Sequence, residues 1–114
     1  MSVLASRSEV KRGEWDAFKN APFQVKPLGS VAYKLALVAA GVADATWTLT
    51  PKNEWDVAAG AALVLAAGGV VKTLDGKEPV FNRSKLLLDG LLAFSVASAE
   101  PLESYLRSGA HIRF

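Results

Sequence analysis

The feature that most constrains this sequence is an apolar run from Val57 to Val71 that follows a polar turn. Pro51 cannot lie inside a helix, so it marks the turn. Asn53 is a favoured N-cap residue. Asp56 stands three positions later, where its side chain can accept a hydrogen bond from the free backbone N–H of the N-cap residue. The pattern predicts a helix over residues 54–68 that is buried on nearly every side, followed by a strand.

The composition excludes several classes of protein. The apolar run has about 15 residues, fewer than the roughly 18 to 20 that span a bilayer, so we expect no membrane segment. The chain carries 13 basic and 11 acidic residues, and a net charge of +2 gives no electrostatic case for nucleic acid. The absence of cysteine excludes disulfides and thiolate zinc sites, and it fits a reducing cytoplasm, which is the expected location.

Strands and helices are expected to alternate along the chain. The expected strands are 3–5, 23–26, 44–50, 70–74 and 91–96, and the expected helices are 7–19, 30–40, 54–68 and 101–107. Pro27 is expected to end the second strand. This alternation is typical of an α/β protein, a layered sandwich in which helices flank a sheet of about five strands. At 114 residues the chain is expected to form a single domain, 1–114.

Four segments carry a resemblance to a known family. They are Trp55 to Gly60 (W-D-x-A-A-G), Ala67-Gly68-Gly69, Gly29 to Lys34, and Val38 to Asp44. Together they resemble the inositol monophosphatase family, the magnesium-dependent and lithium-sensitive phosphomonoesterases, over about residues 2–98. The resemblance implies the mixed sheet of the C-terminal domain of that fold.

The resemblance implies that Asp56 is a metal ligand. Magnesium prefers oxygen ligands in an octahedron, commonly one or two carboxylates with water and substrate phosphate. The alternative interpretation is that Asp56 only caps its helix and complements the helix dipole. A carboxylate has enough oxygen atoms for both roles.

The resemblance also places a substrate phosphate near Gly29, Ser30, Val31 and Lys34. Gly29 to Val31 are expected to begin a helix, where backbone N–H groups and the Ser30 hydroxyl can bind a phosphate. The alternative interpretation is that these residues only cap the helix. Lys34 lies one turn later, so its ammonium group can meet the phosphate; otherwise it is a surface lysine with a snorkelling side chain.

The chain departs from the family pattern in three places. The Asp-Pro-x-Asp-Gly motif that supplies the other metal carboxylates is missing, so the chain resembles only the C-terminal half and no catalytic residue is assigned to it. Ser6-Arg7-Ser8 and Lys34 resemble the bisphosphate nucleotidase branch, but Thr46-Trp47-Thr48 stands where that branch has Tyr-Pro-Arg. Leu49 stands where inositol monophosphatases carry a glutamate.

The sequence therefore predicts the substrate- and metal-site domain of a Mg²⁺-dependent phosphatase for a small phosphate monoester, an inositol phosphate or a nucleotide bisphosphate. Because 51% of the residues are hydrophobic, we expect a second polypeptide, the N-terminal half or another copy, to cover part of the surface. The alternative function is a non-catalytic half-domain for assembly or regulation. Trp47 and Trp55 are interpreted as packing residues rather than base-stacking platforms.

Overall fold

The computed structural model describes residues 1–48, 52–73, 87–88 and 91–108, with side chains of 52–56 and 87–88 left undescribed. The strands are β1 (Ser2–Ser6), β2 (Gln24–Leu28), β3 (Ala45–Thr48), β4 (Lys52–Asn53), β5 (Val70–Lys72), β6 (Leu87–Leu88) and β7 (Leu91–Phe94). The helices are α1 (Arg7–Lys11), α2 (Val31–Ala39), α3 (Glu54–Ala66) and α4 (Ala99–Ser108), and a 3₁₀ turn spans Asp16–Phe18.

The main sheet is mixed and has five strands in the order β2-β1-β3-β7-β5. β1 pairs with β2 and β3 in parallel, while β7 pairs with β3 and β5 in antiparallel fashion. A separate two-stranded ladder joins β4 to β6. The predicted α/β sandwich with a mixed sheet of about five strands is therefore confirmed.

Alternation along the strands produces two hydrophobic cores, one on each face of the sheet. One core packs Trp47 and Phe94 against the 3₁₀ turn and α4. The other packs Leu4 and Ala93 against α2 and α3. Because helices cover both faces, all four residues of β3 and all four of β7 are buried. Trp47 is 1% exposed, which confirms that it is a packing residue.

Two predicted boundaries were wrong near the N-terminus. The first helix was expected to run to residue 19, but α1 ends at Lys11, because Gly13 adopts a φ of 82° and turns the chain. Pro27 was expected to end the second strand, yet it pairs with Ala5 and the strand continues to Leu28. An edge strand accepts proline because one of its sides has no ladder hydrogen bond to lose.

The burial predicted for α3 was also wrong. Val57, Gly60, Ala61 and Val64 are buried against the sheet and α2, but the opposite side of the helix is exposed. Gly60 allows close helix packing, since a Cβ there would lie 2.7 Å from the Leu35 Cβ. No helix in the described part of the chain is long and apolar enough to cross a bilayer.

Asp44 immediately precedes β3 and joins three segments of the chain. Its carboxylate accepts hydrogen bonds from the Ser2 backbone N–H, at 2.7 Å, and from the Ser98 hydroxyl. Its carbonyl accepts the Ser95 N–H at 2.8 Å. The hydrogen bond from Ser98 is the main reason that the pKa of the Asp44 carboxyl lies below its ordinary value, since it stabilises the ionised form.

This lowered pKa predicts a loss of stability in acid. The ionised Asp44 carboxylate stabilises the folded chain fully at pH values above the pKa of an unfolded aspartate, about 3.9. This stabilisation is lost as the pH falls through the lower pKa that Asp44 has in the folded chain. We expect Asp44→Asn to reduce the acid dependence of the free energy of unfolding, measured by urea denaturation between neutral and acid pH. Asp16→Asn, which removes an exposed carboxylate, is the matched control. Superimposable pH curves for wild type and Asp44→Asn would contradict the assignment.

Candidate functional site

A cavity of about 460 Å³ lies where β1 and β2 end and α1 and α2 begin. Ligands of α/β proteins commonly bind at the carboxyl ends of parallel strands, which is where this cavity opens. Its lining residues are Ser6, Arg7, Ser8, Lys11, Leu28, Gly29, Ser30, Val31 and Lys34. The structure therefore brings together all four residues predicted to bind substrate, and it adds the Ser6-Arg7-Ser8 segment beside them.

Ser30 begins α2 in an unusual backbone conformation. Its φ is 60°, the only positive φ of a non-glycine residue in the described part of the chain. The Ser30 hydroxyl accepts the Tyr33 N–H at 3.2 Å, and the Ser30 carbonyl accepts the Lys34 N–H at 3.2 Å. Ser30 therefore caps the N-terminus of α2, the role that the alternative interpretation of this segment gave it. A strained residue at a cavity is also a common feature of binding sites.

Lys34 is 4% exposed, so its interpretation as a snorkelling surface lysine was wrong. The Lys34 ammonium group donates a hydrogen bond to the Leu28 carbonyl at 3.2 Å, which holds it where β2 meets α2. A buried ammonium group is strongly favoured to have anionic or hydrogen-bonding partners. The structure therefore places a positive charge in the wall of the cavity rather than in bulk solvent.

The polar groups of the cavity suit an anion. Arg7, Lys11 and Lys34 are cationic, and no acidic residue is among the nine lining residues. Ser6, Ser8 and Ser30 contribute hydroxyl groups, and the Ser6 and Ser8 oxygen atoms lie 3.1 Å apart. Cations and hydroxyl donors around one concave surface raise the local concentration of anions and bind phosphate oxygens. Lys11 was not anticipated, since only the fold places it near α2.

A buried carboxylate that sequence reasoning missed supports one wall of the cavity. Glu9 is 0% exposed and follows Ser8 in α1. Its Oε1 accepts the Trp15 indole N–H at 3.0 Å, and its Oε2 accepts the Thr48 hydroxyl at 2.6 Å. Glu9 therefore joins α1 to the end of β3. The sequence signal for Glu9 is its position three residues after the N-cap Ser6, in the first turn of α1. An exposed acidic residue is equally common at that position, so the signal does not predict burial.

Asp56 is the third residue of α3, the helix that directly follows β4. Its side chain lies outside the described part of the structure, as do those of Asn53 and Trp55, so the metal-ligand prediction stays a prediction. Within the described residues, no group of three or more His, Asp or Glu side chains is placed to hold a metal ion.

Comparison with known proteins relates this chain to one family. A sequence profile of the inositol monophosphatase family matches residues 3–106. The chain is 44% identical over 69 residues, 60% of its length, to the chloroplastic phosphatase IMPL1 of Arabidopsis thaliana. It is 39% identical over 72 residues, again 60%, to the fructose-1,6-bisphosphatase/inositol-1-monophosphatase of Thermotoga maritima.

A solved structure supports the same relationship. CysQ of Bacteroides thetaiotaomicron, a bacterial member of the inositol monophosphatase family, superimposes with a TM-score of 0.69 and 32% identity over 84% of this chain. The matched segments make up 18% of the Arabidopsis protein, 27% of the Thermotoga protein and 37% of the Bacteroides chain. The chain thus spans well under half the length of each of these relatives.

Proposed function

Because this chain belongs to the inositol monophosphatase family, we propose that it is the substrate-binding part of a phosphatase that hydrolyses a small phosphate monoester. The observation that carries the proposal is the cavity at the start of α2, which gathers Arg7, Lys11 and Lys34 with three hydroxyl groups. An inositol phosphate or a nucleotide bisphosphate offers the anionic oxygens that such a cavity suits.

In this proposal the residues of α2 orient the phosphate. The first backbone N–H groups of α2 carry the partial positive charge of the helix N-terminus, which favours an anion. The buried ammonium group of Lys34 adds a full charge at the same end, fixed by the Leu28 carbonyl. Arg7 and Lys11 provide further cations from α1, so a substrate with a second phosphate finds a second contact.

The proposed metal is Mg²⁺, with Asp56 as one ligand. When bound, such an ion supplies a nucleophilic water and neutralises the leaving oxygen. The resemblance assigns the other metal carboxylates to an Asp-Pro-x-Asp-Gly motif that this sequence lacks, so they are proposed to come from a further polypeptide segment of the family fold. The contribution of this chain is then to hold the substrate and to present one carboxylate from the start of α3.

The test is Mg²⁺-dependent phosphate release on a panel of inositol monophosphates and adenosine bisphosphate. The chain is assayed alone and mixed with the segment of Bacteroides CysQ that it does not match. We expect release only from the mixture. Asp56→Asn should lower kcat by a factor of about 100 or more, because it removes a metal ligand. Lys34→Met should mainly raise KM, by about tenfold, because it removes a phosphate contact.

Asp16→Asn is the control, since it removes an exposed carboxylate of the 3₁₀ turn that is not among the residues lining the cavity. Its kinetics should equal those of the wild type. Full activity of Asp56→Asn would show that Asp56 acts only as a helix cap and is not a required metal ligand. A mixture that binds the substrates without turnover would favour the alternative function, a non-catalytic assembly or regulatory module.

A further inference from the structure

The helix α1 is too short to hold its own position, although it forms much of the cavity wall. It has five residues, Arg7–Lys11, and it contributes Arg7, Ser8 and Lys11 to the lining. Isolated helices shorter than about 12 residues are marginal in water, so contacts with the rest of the chain must fix α1. Within α1, all of which the structure describes, Glu9 is the only buried residue.

The two carboxylate oxygen atoms of Glu9 connect α1 to two different parts of the fold. Oε1 accepts the Trp15 indole N–H at 3.0 Å, and Oε2 accepts the Thr48 hydroxyl at 2.6 Å. Trp15 stacks on Trp47, and Thr48 pairs with Leu91 in the main sheet. Hydrogen bonds to a carboxylate are stronger than those between neutral groups. Glu9 therefore fixes α1 against elements that belong to the core.

Glu9 does not itself face the cavity, since it is 0% exposed and is not one of the nine lining residues. We propose that Glu9 is a positioning residue for anion binding, which holds α1 so that Arg7 and Lys11 present their charges to the cavity. These two cations are four residues apart and therefore lie on one side of α1. The inference rests on the proposed function, because it takes the ligand of the cavity to be a phosphate ester.

The charge of Glu9 makes the proposal testable by the sign of one effect. By charge alone, a carboxylate in the same short helix as Arg7 and Lys11 opposes the binding of an anion. Glu9→Gln keeps the shape of the side chain and removes the negative charge, so electrostatics alone predicts tighter binding. Loss of positioning predicts weaker binding instead, because the amide no longer accepts from both Trp15 and Thr48.

The first measurement is the Kd of the full chain for adenosine bisphosphate, by isothermal titration calorimetry without Mg²⁺. We expect Glu9→Gln and Thr48→Val each to raise the Kd about fivefold, whereas Thr48→Ser, which keeps the hydroxyl, stays close to the wild type. In a chain that already carries Arg7→Gln and Lys11→Met, Glu9→Gln should change the Kd by less than about twofold. The effect of Glu9 disappears there because the cations that it positions are gone.

Thr46→Val is the matched control for Thr48→Val. Both threonines belong to β3 and are 6% exposed, but the Thr46 hydroxyl donates to the Leu4 carbonyl, at 2.8 Å, and not to α1. Thr46→Val therefore removes a buried hydroxyl without releasing the cavity wall, and it should leave the Kd unchanged. Circular dichroism checks that each variant is folded at the temperature of the titration.

The second measurement needs no ligand. The Arg12 N–H bonds to the Ser8 carbonyl and the Gly13 N–H to the Val10 carbonyl, both at 3.1 Å, so the exchange of these amides reports the opening of α1. We expect Thr48→Val to exchange both amides about tenfold faster than the wild type, and Thr46→Val to exchange them at the wild-type rate.

Tighter or unchanged binding by Glu9→Gln overturns the proposal, as does wild-type exchange of the α1 amides in Thr48→Val. Equal weakening by Thr46→Val and Thr48→Val also overturns it, since the loss would then follow from any buried hydroxyl of β3. A wild-type chain that does not bind adenosine bisphosphate contradicts the proposed function, and with it the role of Glu9 in anion binding. Faster α1 exchange in Thr48→Val would then show that Glu9 holds α1 for a reason other than the proposed substrate.

Discussion

Replacing Glu9 with alanine should lower the free energy of unfolding by about 3 kcal/mol. The variant leaves the Trp15 indole N–H and the Thr48 hydroxyl without the carboxylate that accepts from both. It also leaves a cavity at a position that is 0% exposed. Urea denaturation followed by tryptophan fluorescence measures the change directly, because Trp15 stacks on Trp47 with ring centroids 5.1 Å apart.

Glu9→Gln separates the loss of hydrogen bonds from the loss of volume. The amide keeps the shape of the side chain, and one oxygen can still accept from Trp15, so we expect a smaller loss of about 1 to 2 kcal/mol. Glu100→Ala, at an exposed position of α4, should change the stability by less than about 0.5 kcal/mol. Equal stabilities of Glu9→Ala and Glu100→Ala would show that the buried carboxylate does not hold α1 to β3.

Glu9 illustrates why local patterns describe the fold better than the site. The order of strands and helices follows from apolar periodicity and from Gly and Pro positions, which act over a few residues. The burial of Glu9 instead depends on Trp15 and on Thr48, which is 39 residues away in sequence. No local pattern distinguishes such a residue from an ordinary acid in the first turn of a helix.

The same argument applies to the cavity. The resemblance predicted Gly29, Ser30, Val31 and Lys34 as one group because they are adjacent in sequence. The addition of Lys11 required the parallel pairing of β1 with β2, which places the starts of α1 and α2 side by side. Burial of α3 was overpredicted for a related reason, since an apolar sequence indicates that a surface is to be covered but not which polypeptide covers it.

The Ala67-Gly68-Gly69 motif has a structural explanation that sequence alone did not provide. Gly68 has a φ of 84° and follows the last turn of α3, where its N–H bonds to the Leu65 carbonyl at 3.0 Å. The Gly69 N–H bonds to the Val64 carbonyl at 2.9 Å. The two glycines therefore end α3 and direct the chain into β5 at the edge of the sheet.

Replacing Gly69 with alanine should destabilise the fold by about 3 kcal/mol. A Cβ at this position would lie 2.5 Å from the Phe94 carbonyl oxygen and 2.8 Å from Val64 Cγ1. The carbonyl belongs to the backbone of β7, so relief of the contact would require β5 or α3 to move away from the sheet. Unlike a glycine inside a helix, Gly69 gains no helix propensity from the substitution to offset this strain.

Gly29→Ala is the control for this prediction, because a Cβ there meets no atom within 4 Å. It should leave the stability unchanged or raise it by up to about 1 kcal/mol, through a less flexible unfolded chain. Urea denaturation of both variants under one set of conditions gives the comparison. If Gly69→Ala were as stable as the wild type, the close approach of the α3–β5 turn to β7 would not be a requirement of the fold, and the glycine would need a different explanation.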